Sequence, residues 1–256
     1  MFKNVIVRRP SKAIVDGITS APELGKPDYE LALKQHDDYI EALKSCGVNV
    51  DVLDADDEYP DSCFVEDTAV LTPNVAIISN PARDSRNGEA MRMLSTIQKY
   101  YAEDKIEYIN APGTLEGGDI MMVGNHFYVG KSDRTNDEGA KQFIEILEKY
   151  GHTGSIVTLD EMLHLKTGVN YIENNNMLVF GEFINKEEFS KYNKLIINEN
   201  EAYSANCIWM NDKVIVPKGY PHTKSMIEKA GYEVIEVDTS EYKKIDGGLS
   251  CLSLRF

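Results

Sequence analysis

The feature of this 256-residue chain that most constrains its fold is an internal repeat. Residues 48–79, 106–130 and 195–217 each read as a strand, a polar loop, a second strand, a short turn and a third strand. Helices are predicted after the second and third stretches, over residues 136–150 and 222–230, from the spacing of apolar residues. Repeats of this size, with strands and a helix in each unit, are typical of chains that repeat radially around a centre.

Two further units complete the pattern. A degenerate fourth unit fits residues 156–180, and a fifth can be assembled only from both ends of the chain. In that fifth unit, a strand over residues 251–256 would pair with one over 5–9, and a helix over 28–46 would complete the unit. Because both ends meet in one unit and no linker divides the chain, the sequence predicts a closed ring folded as a single domain, residues 1–256.

Polar residues occupy the equivalent loop position of each unit. They recur about every 42 to 50 residues and are Glu66, Glu116, His164, Asn206 and Cys251. In a ring, equivalent loops converge on the axis, so residues far apart in sequence would meet at one pore. We therefore expect the functional site at these loops.

Charge and composition argue against several kinds of partner. The chain has 27 basic and 42 acidic residues, a formal net charge of −15, and no Lys/Arg cluster, which argues against nucleic acids and anionic membranes. An acidic surface suits a small cationic substrate, although it also simply keeps proteins soluble. No run of about 18 apolar residues could span a membrane, and the first residues lack signal-peptide features, so we expect a cytoplasmic protein.

The cysteines and glycines indicate neither a metal nor a cofactor. Cys46, Cys63, Cys207 and Cys251 form no CxxC pair and have no zinc-ligand spacing with histidine, so free thiols are expected. There is also no glycine motif for binding phosphate or a dinucleotide. We therefore expect chemistry that depends on side chains alone.

Three of the loop residues suit nucleophilic catalysis. Cys251 follows the pair Gly247-Gly248, which allows close backbone approach, and a histidine within reach would activate its thiol. His164 lies between two leucines and could also protonate a leaving amine. Taken singly, a buried strand cysteine, a structural histidine and, for Glu116, an acid in a solvated turn are the commoner outcomes. Their equivalent positions in the repeat favour a shared site instead.

Together these motifs resemble the dimethylarginine dimethylaminohydrolase family of the guanidine-modifying pentein superfamily. The resemblance covers nearly the whole chain, and its specific signals are DSCFVED at 61–67, LEGGD at 115–119, RTN at 134–136, LHLK at 163–166 and the segment around Cys251. Each signal alone is weak, whereas all of them in this order are specific. The resemblance implies an α/β fold, a five-bladed αβ-propeller with one blade closed by the N- and C-terminal strands.

The resemblance also implies roles for individual residues. Cys251 would be the nucleophile, His164 the general acid and base, and Glu116 the carboxylate that orients substrate and histidine. Glu66 and Asp67 would hold the substituted guanidinium. The remaining contacts would be with the amino-acid end of the substrate (Asp61, Arg134 and either Arg86 or the nearby Arg83), near the reacting group (Asp246) and as an apolar lid (Ile18).

The implied reaction is hydrolysis of an Nω-methylated arginine to citrulline and methylamine or dimethylamine. Cys251 would add to the guanidinium carbon, and water would hydrolyse the resulting covalent thiouronium. Arginine deiminases typically carry Asp two residues after the histidine, where this chain has Lys166. Loss of that carboxylate favours a headgroup with fewer N–H donors, such as a methylated one.

Two alternatives to this reaction remain open. The same three residues could act on citrulline, to give ornithine, or on arginine as a deiminase. The alternative of another class is a catalytically silent amino-acid-binding protein, and the intact Cys251, His164 and Glu116 count against it. The sequence leaves open the physiological substrate and whether the chain forms a homodimer.

Overall fold

A computed structural model describes residues 1–256 and places fifteen strands in five three-stranded sheets. The strands are β1 (Asn4–Arg8), β2 (Asn49–Leu53), β3 (Ala69–Leu71), β4 (Ala76–Ile78), β5 (Ile106–Tyr108), β6 (Ile120–Val123), β7 (His126–Lys131), β8 (Thr153–Thr158), β9 (Val169–Tyr171), β10 (Asn176–Val179), β11 (Asn193–Ile196), β12 (Ile208–Met210), β13 (Lys213–Pro217), β14 (Glu233–Val237) and β15 (Leu254–Arg255). The helices are α1 (Tyr29–Ser45), α2 (Glu89–Ile97), α3 (Asp137–Lys149), α4 (Leu165–Gly168), α5 (Pro221–Lys229) and α6 (Ser240–Lys243). None of these helices is both long and apolar enough to cross a membrane.

All five sheets share one topology. In each sheet the middle strand pairs antiparallel with one neighbour and parallel with the other, as β4 does with β3 and β5. Parallel neighbours need a crossover connection, and four of the five crossovers carry a long helix. In the fourth sheet, two short 3-10 turns between β10 and β11 replace that helix. The predicted α/β repeat is therefore confirmed, including its degenerate fourth unit.

The two ends of the chain meet in one sheet, as the sequence predicts. β1 pairs antiparallel with β15, with Ile6 opposite Leu254, and parallel with β2. The predicted strand over residues 251–256 is wrong for its first part, because Ser250–Leu252 is a 3-10 helical turn. Hydrogen bonds from Ser250 to side chains of other loops, described below, replace strand pairing at this point.

A short helical turn precedes the first strand of the second, third, fourth and fifth sheets and the strand β15 of the first. These five turns, called the site turns below, are Val65–Thr68, Gly117–Asp119, α4, Glu199–Ala205 and Ser250–Leu252. The site turns contact one another. The polar residues predicted at equivalent loop positions therefore come together.

The apolar core is divided among the sheets and helices into five clusters. In the largest, α1 packs Tyr39 and Leu43 against residues from both end segments, such as Val5 and Leu252. Asp28 fixes the start of α1, since its carboxylate accepts a hydrogen bond from the Leu31 amide at 2.9 Å. Each fully buried side chain of this size contributes about 1.5–3 kcal/mol. This packing holds the turn with Cys251 against α1.

Acid is expected to destabilise the fold through His36, on the buried face of α1. Its side chain is fully buried, and neither ring nitrogen has a hydrogen-bond partner. Burial, assisted by Arg9, lowers the pKa of His36 from 6.5 to about 4. The unfolded chain therefore binds this proton first, and about 3 kcal/mol of unfolding free energy is lost as the pH falls from about 6.5 to about 4.

Urea unfolding at pH 7 and pH 4 measures this loss. In His36→Leu, the difference in unfolding free energy between the two pH values should shrink by about 3 kcal/mol. The exposed His222, replaced by leucine, provides the matched control and should leave that difference unchanged. If the unfolding free energy of His36→Leu changes between pH 7 and pH 4 as much as that of the unmodified chain, His36 is not responsible for the loss.

Candidate active site

A cavity of about 260 Å³ opens among the site turns. Both Cys251 and His164 line it, so the predicted nucleophile and acid share one chamber. Its other lining residues come from four site turns and the loops beside them: Gly118, Met162, Lys166, Thr167, Phe180, Ala202, Tyr203, Asn206, Asp246, Gly247, Gly248 and Ser250. The walls are thus aromatic or apolar on one side and polar around the sulfur.

Cys251 lies in the Ser250–Leu252 turn and is half-buried. The Gly248 amide donates to Sγ at 3.4 Å. Burial, together with the nearby Glu66 and Asp67, raises the pKa of the thiol to about 12. The sulfur therefore stays protonated at neutral pH, and a further positive charge beside it would favour the thiolate.

His164 occupies the N-cap of α4 between two carboxylates. Its Nε2 lies 3.4 Å from Glu116 Oε2, and its Nδ1 lies 3.3 Å from Asp119 Oδ2. Burial alone would lower the pKa of His164, but Asp119 and the other nearby carboxylates raise it to about 9. A Cβ at Gly118 would lie only 2.9 Å from the His164 ring, so glycine is required for this packing. At neutral pH the ring is an imidazolium that can donate a proton.

Asp119 is a candidate site residue that was not predicted from the sequence. It is fully buried, and its Oδ2 accepts hydrogen bonds from Ser132 and Thr135 hydroxyls at 2.7 Å each. Its Oδ1 accepts from the Leu165 amide at 3.0 Å, so one carboxylate fixes both the backbone and the ring of His164. The signal for it in the sequence is the last acid of the LEGGD motif at 115–119.

Glu116 lies fully buried on the other side of His164. Its Oε1 accepts from the Ala82 amide at 3.2 Å and lies 3.6 Å from Arg134. Its Oε2 has no hydrogen-bond partner. Burial and the neighbouring Asp67 raise the pKa of Glu116. This free oxygen beside an imidazolium is suited to a cationic ligand.

Asp67 is held by an arginine from the protein itself. Its Oδ2 accepts from Arg86 at 2.7 Å, and its Oδ1 accepts from the Gly118 amide at 2.9 Å. Burial raises the pKa of Asp67, but Arg86 and His164 outweigh it and hold the pKa below its usual value. Asp67 is therefore an anion at neutral pH, fixed beside the Gly118 wall of the cavity.

Arg86 is buried and engaged by protein groups. Besides Asp67, its guanidinium donates to Glu89 at 2.7 Å and to the Phe64 carbonyl at 3.0 Å. It does not line the cavity. Its contact with a substrate carboxylate stays a prediction, as does that of Arg83, which is exposed.

Glu66 also lies apart from the cavity lining, in a buried ion cluster. Its Oε1 accepts hydrogen bonds from Lys166 and, at 2.6 Å, from Arg255. Its Oε2 accepts from the Ser250 hydroxyl at 2.7 Å. Two cations thus already neutralise the carboxylate that was predicted to hold a guanidinium, and that role stays a prediction.

Two carboxylates tether the loop that carries Ile18. The buried Asp61 accepts from the Ile18 amide at 3.1 Å, and Asp246 accepts from the Ser20 amide at 2.7 Å and its hydroxyl at 2.8 Å. Because Asp246 also lines the cavity, this loop is fixed at the cavity edge. Ile18 and Asp61 themselves are not part of the lining.

The only group of side chains arranged closely enough to hold a metal ion is part of this site. Asp67, Glu116 and His164 each bring one ligand atom within 4.8 Å of the others. Binding a cation there would require neutral His164, whose pKa lies well above neutrality. The arrangement therefore favours a site in which the imidazolium itself neutralises the two acids.

The whole chain is similar to one family of enzymes. A family model described as N,N dimethylarginine dimethylhydrolase, eukaryotic, matches residues 25–252. The chain is 56% identical over 256 residues to the N(G),N(G)-dimethylarginine dimethylaminohydrolase of Pseudomonas aeruginosa, with 100% of both chains covered.

Two solved structures match 100% of this chain and of their own at a TM-score of 0.98 and 55% identity. One is the Pseudomonas aeruginosa enzyme with a cysteine replaced by serine, complexed with citrulline. The other is a dimethylarginine dimethylaminohydrolase with a histidine replaced by glycine, as its adduct with S-methyl-L-thiocitrulline. With a family model over most of the chain and these matches over its full length, the chain belongs to the dimethylarginine dimethylaminohydrolase family.

Proposed function

We propose that this protein hydrolyses Nω-methylated arginine to citrulline and methylamine or dimethylamine. The observation that carries the proposal is the shared cavity of Cys251 and His164, with Glu116 and Asp67 beside the histidine, in a chain of this family. The substrate is a small amino acid with a cationic side chain. The citrulline complex and thiocitrulline adduct of the similar structures support this class of ligand.

Substrate binding prepares the nucleophile. The guanidinium adds a positive charge to the cavity, where Asp246 is part of the lining and Asp67 and Glu116 contact Gly118 and His164 of the lining. A cation beside the sulfur lowers the thiol pKa, because it stabilises the thiolate more than the thiol. The thiol releases its proton to solvent when the guanidinium is present and stays protonated when it is absent.

The reaction then takes two displacement steps. The Cys251 thiolate forms a C–S bond to the guanidinium carbon, the C–N bond to the methylated nitrogen breaks, and the amine leaves with a proton from His164. The resulting thiouronium remains bound to the sulfur. Neutral His164 next takes a proton from water, which attacks the same carbon and displaces the thiolate to give citrulline. Glu116 and Asp119 stabilise the imidazolium and keep the ring in place.

The ion cluster of Glu66, Lys166 and Arg255 favours a substrate with a methylated guanidinium. Glu66 is paired with two cations, Lys166 and Arg255, whereas Asp67 has only Arg86 and Glu116 keeps an oxygen without a hydrogen-bond partner. Asp67 and Glu116 therefore remain as the acids for the guanidinium. Two acids match fewer N–H donors than three would, and a methylated guanidinium has lost one or two N–H groups. This charge balance favours the substituted substrate over arginine.

Product analysis tests the proposal. The chain is incubated separately with asymmetric dimethylarginine, monomethylarginine, arginine and citrulline, beside a Cys251→Ala variant. Citrulline with dimethylamine or methylamine, lost in the variant, is the expected result. Turnover of arginine or citrulline alone would overturn the substrate, and no turnover of any compound would overturn the activity.

We also infer that the five sheets close into a five-bladed αβ-propeller, one catalytic domain over residues 1–256. The common strand order, the sheet shared by both end segments and the mutual contacts of the site turns support this arrangement. A single domain should lose activity and the fluorescence of Trp209, its one tryptophan, in the same urea transition. Two transitions separated in urea concentration would contradict a single cooperative unit.

Asp119→Asn is expected to lower kcat by about 10²- to 10³-fold. The carboxylate raises the His164 pKa, so its loss lets the imidazolium release its proton at lower pH. The alkaline limb of the kcat–pH profile should therefore move to lower pH. Steady-state rates from pH 6 to 10 measure both effects, and the exposed Asp133, replaced by asparagine, is the control. An alkaline limb at its original pH would refute this role of Asp119.

A further inference from the structure

Every polar group of Ser250, the residue before Cys251, has a hydrogen-bond partner. Its amide donates to Asn206 Oδ1 at 2.9 Å, and its carbonyl accepts from Arg255 at 2.9 Å. Its hydroxyl donates to Glu66 Oε2 at 2.7 Å and accepts from Asn206 Nδ2 at 3.1 Å. Because Ser250 is fully buried, these partners replace solvent completely. The turn that presents the sulfur is therefore fixed from its N-terminal side.

Asn206 also packs against Gly248, which precedes this turn. A Cβ at Gly248 would lie 2.5 Å from Asn206 Cγ, so the two groups are in direct contact. Gly248 in turn donates its amide to the Cys251 sulfur. Asn206 Nδ2 further donates to the Lys166 carbonyl at 3.2 Å, in the helix that begins after His164. One buried amide thus links the nucleophile's turn to the helix of the acid.

The hydroxyl of Ser250 partly compensates the buried negative charge of Glu66. Glu66 Oε1 is neutralised by Lys166 and Arg255, whereas Oε2 receives the Ser250 hydroxyl. Glu66 is one of the charges that disfavour the Cys251 thiolate. Removing the hydroxyl would leave Oε2 less compensated and make the thiolate harder to form.

We propose that Ser250 and Asn206 are positioning residues, through which the buried Glu66 carboxylate sets the place and reactivity of the Cys251 sulfur. This inference rests on the proposed function, in which Cys251 is the nucleophile. In this proposal Glu66 acts on Cys251 through Ser250 and needs no contact with substrate. The effect should appear in the chemical step more than in substrate binding.

Ser250→Ala and Ser253→Ala form a matched pair. Both serines are fully buried, flank Cys251 and contact Arg255, but Ser253 bonds Tyr39 instead of Glu66. In Ser250→Ala, kcat on dimethylarginine should fall by about 10- to 100-fold with KM within about 3-fold. Alkylation of Cys251 by iodoacetamide at pH 9, followed by mass spectrometry without substrate, should slow by about 10-fold. Ser253→Ala should match the unmodified chain in both, and Ser250→Thr, which keeps the hydroxyl, should recover part of the rate.

Asn206→Ala provides the second variant, with Asn170→Ala as its control. Asn170 is buried and donates to the Lys166 carbonyl at 2.8 Å and the Ala205 carbonyl at 2.7 Å, without touching Ser250. Asn206→Ala should lose kcat as Ser250→Ala does, whereas Asn170→Ala should not, with thermal unfolding midpoints confirming that both fold.

Three results would overturn the inference: equal losses in the two serine variants, a changed KM with unchanged kcat, or alkylation in Ser250→Ala as fast as in the unmodified chain. Because alkylation uses no substrate, it tests the positioning role separately from the proposed activity. Absence of turnover in the unmodified chain, with alkylation slowed in Ser250→Ala as expected, would refute only the proposed activity.

Discussion

Replacing Cys251 by serine is expected to lower kcat on asymmetric dimethylarginine by about 10⁴-fold or more. A serine hydroxyl is a far weaker acid than a thiol, and the acids that raise the thiol pKa would oppose its ionisation too. His164 in the cavity and the adjacent Asp67 and Glu116 are unchanged, so substrate should still bind with a Kd similar to the unmodified KM. Steady-state assays and titration calorimetry measure the two quantities.

Cys46→Ala is the control for this experiment. Cys46 is a buried thiol at the end of α1 and belongs to the apolar core, so its loss should leave turnover unchanged. Turnover by Cys251→Ser within about 10-fold of the unmodified rate would show that another group attacks the guanidinium carbon.

Replacing His164 by glycine should separate the two proton transfers of the reaction. Release of an amine from the guanidinium carbon needs a proton from the imidazolium, so dimethylarginine turnover should fall by about 10⁴-fold. S-methyl-L-thiocitrulline has a thiolate leaving group, which departs without protonation at neutral pH. Cys251 should therefore still attack it and release one methanethiol per chain.

The covalent product should then accumulate in His164→Gly, because no base is left to activate water. Intact mass spectrometry detects the adduct, and a thiol reagent counts the methanethiol released. The exposed histidine His222, replaced by alanine, is the control and should turn over both compounds normally. Continuous release of methanethiol by His164→Gly would show that water is activated elsewhere.

The fold was largely predictable because its units repeat. The helix predicted over residues 136–150 is observed as Asp137–Lys149, and the predicted pairing of the chain ends is observed between β1 and β15. The start of the strand predicted at 251–256 is wrong, because lateral bonds to Asn206 and Glu66 hold Ser250 in a helical turn. Such bonds depend on neighbours that local periodicity does not reveal.

The convergence of Cys251, His164 and Glu116 was predictable for a similar reason, since the three occupy equivalent places in the repeat. The roles of Glu66 and Arg86 were less accessible, because a charged side chain binds whichever partner the fold brings nearest. Glu66 is paired with Lys166, and Arg86 is paired with Asp67. Spacing in the sequence shows that such charges exist, whereas three-dimensional packing decides whether they meet substrate or each other.

The sheet that joins β1 to β15 also determines when the enzyme can become active during its synthesis. β1 leaves the ribosome first of all the strands and β15 last, so β1 must wait with one edge unpaired until every other sheet has been made. Pairing between such distant segments carries a large loop-closure cost and forms slowly. The turn with Cys251 immediately precedes β15, so the nucleophile is positioned only when this last pairing forms. A chain in which β15 is unpaired is therefore expected to lack a correctly positioned Cys251.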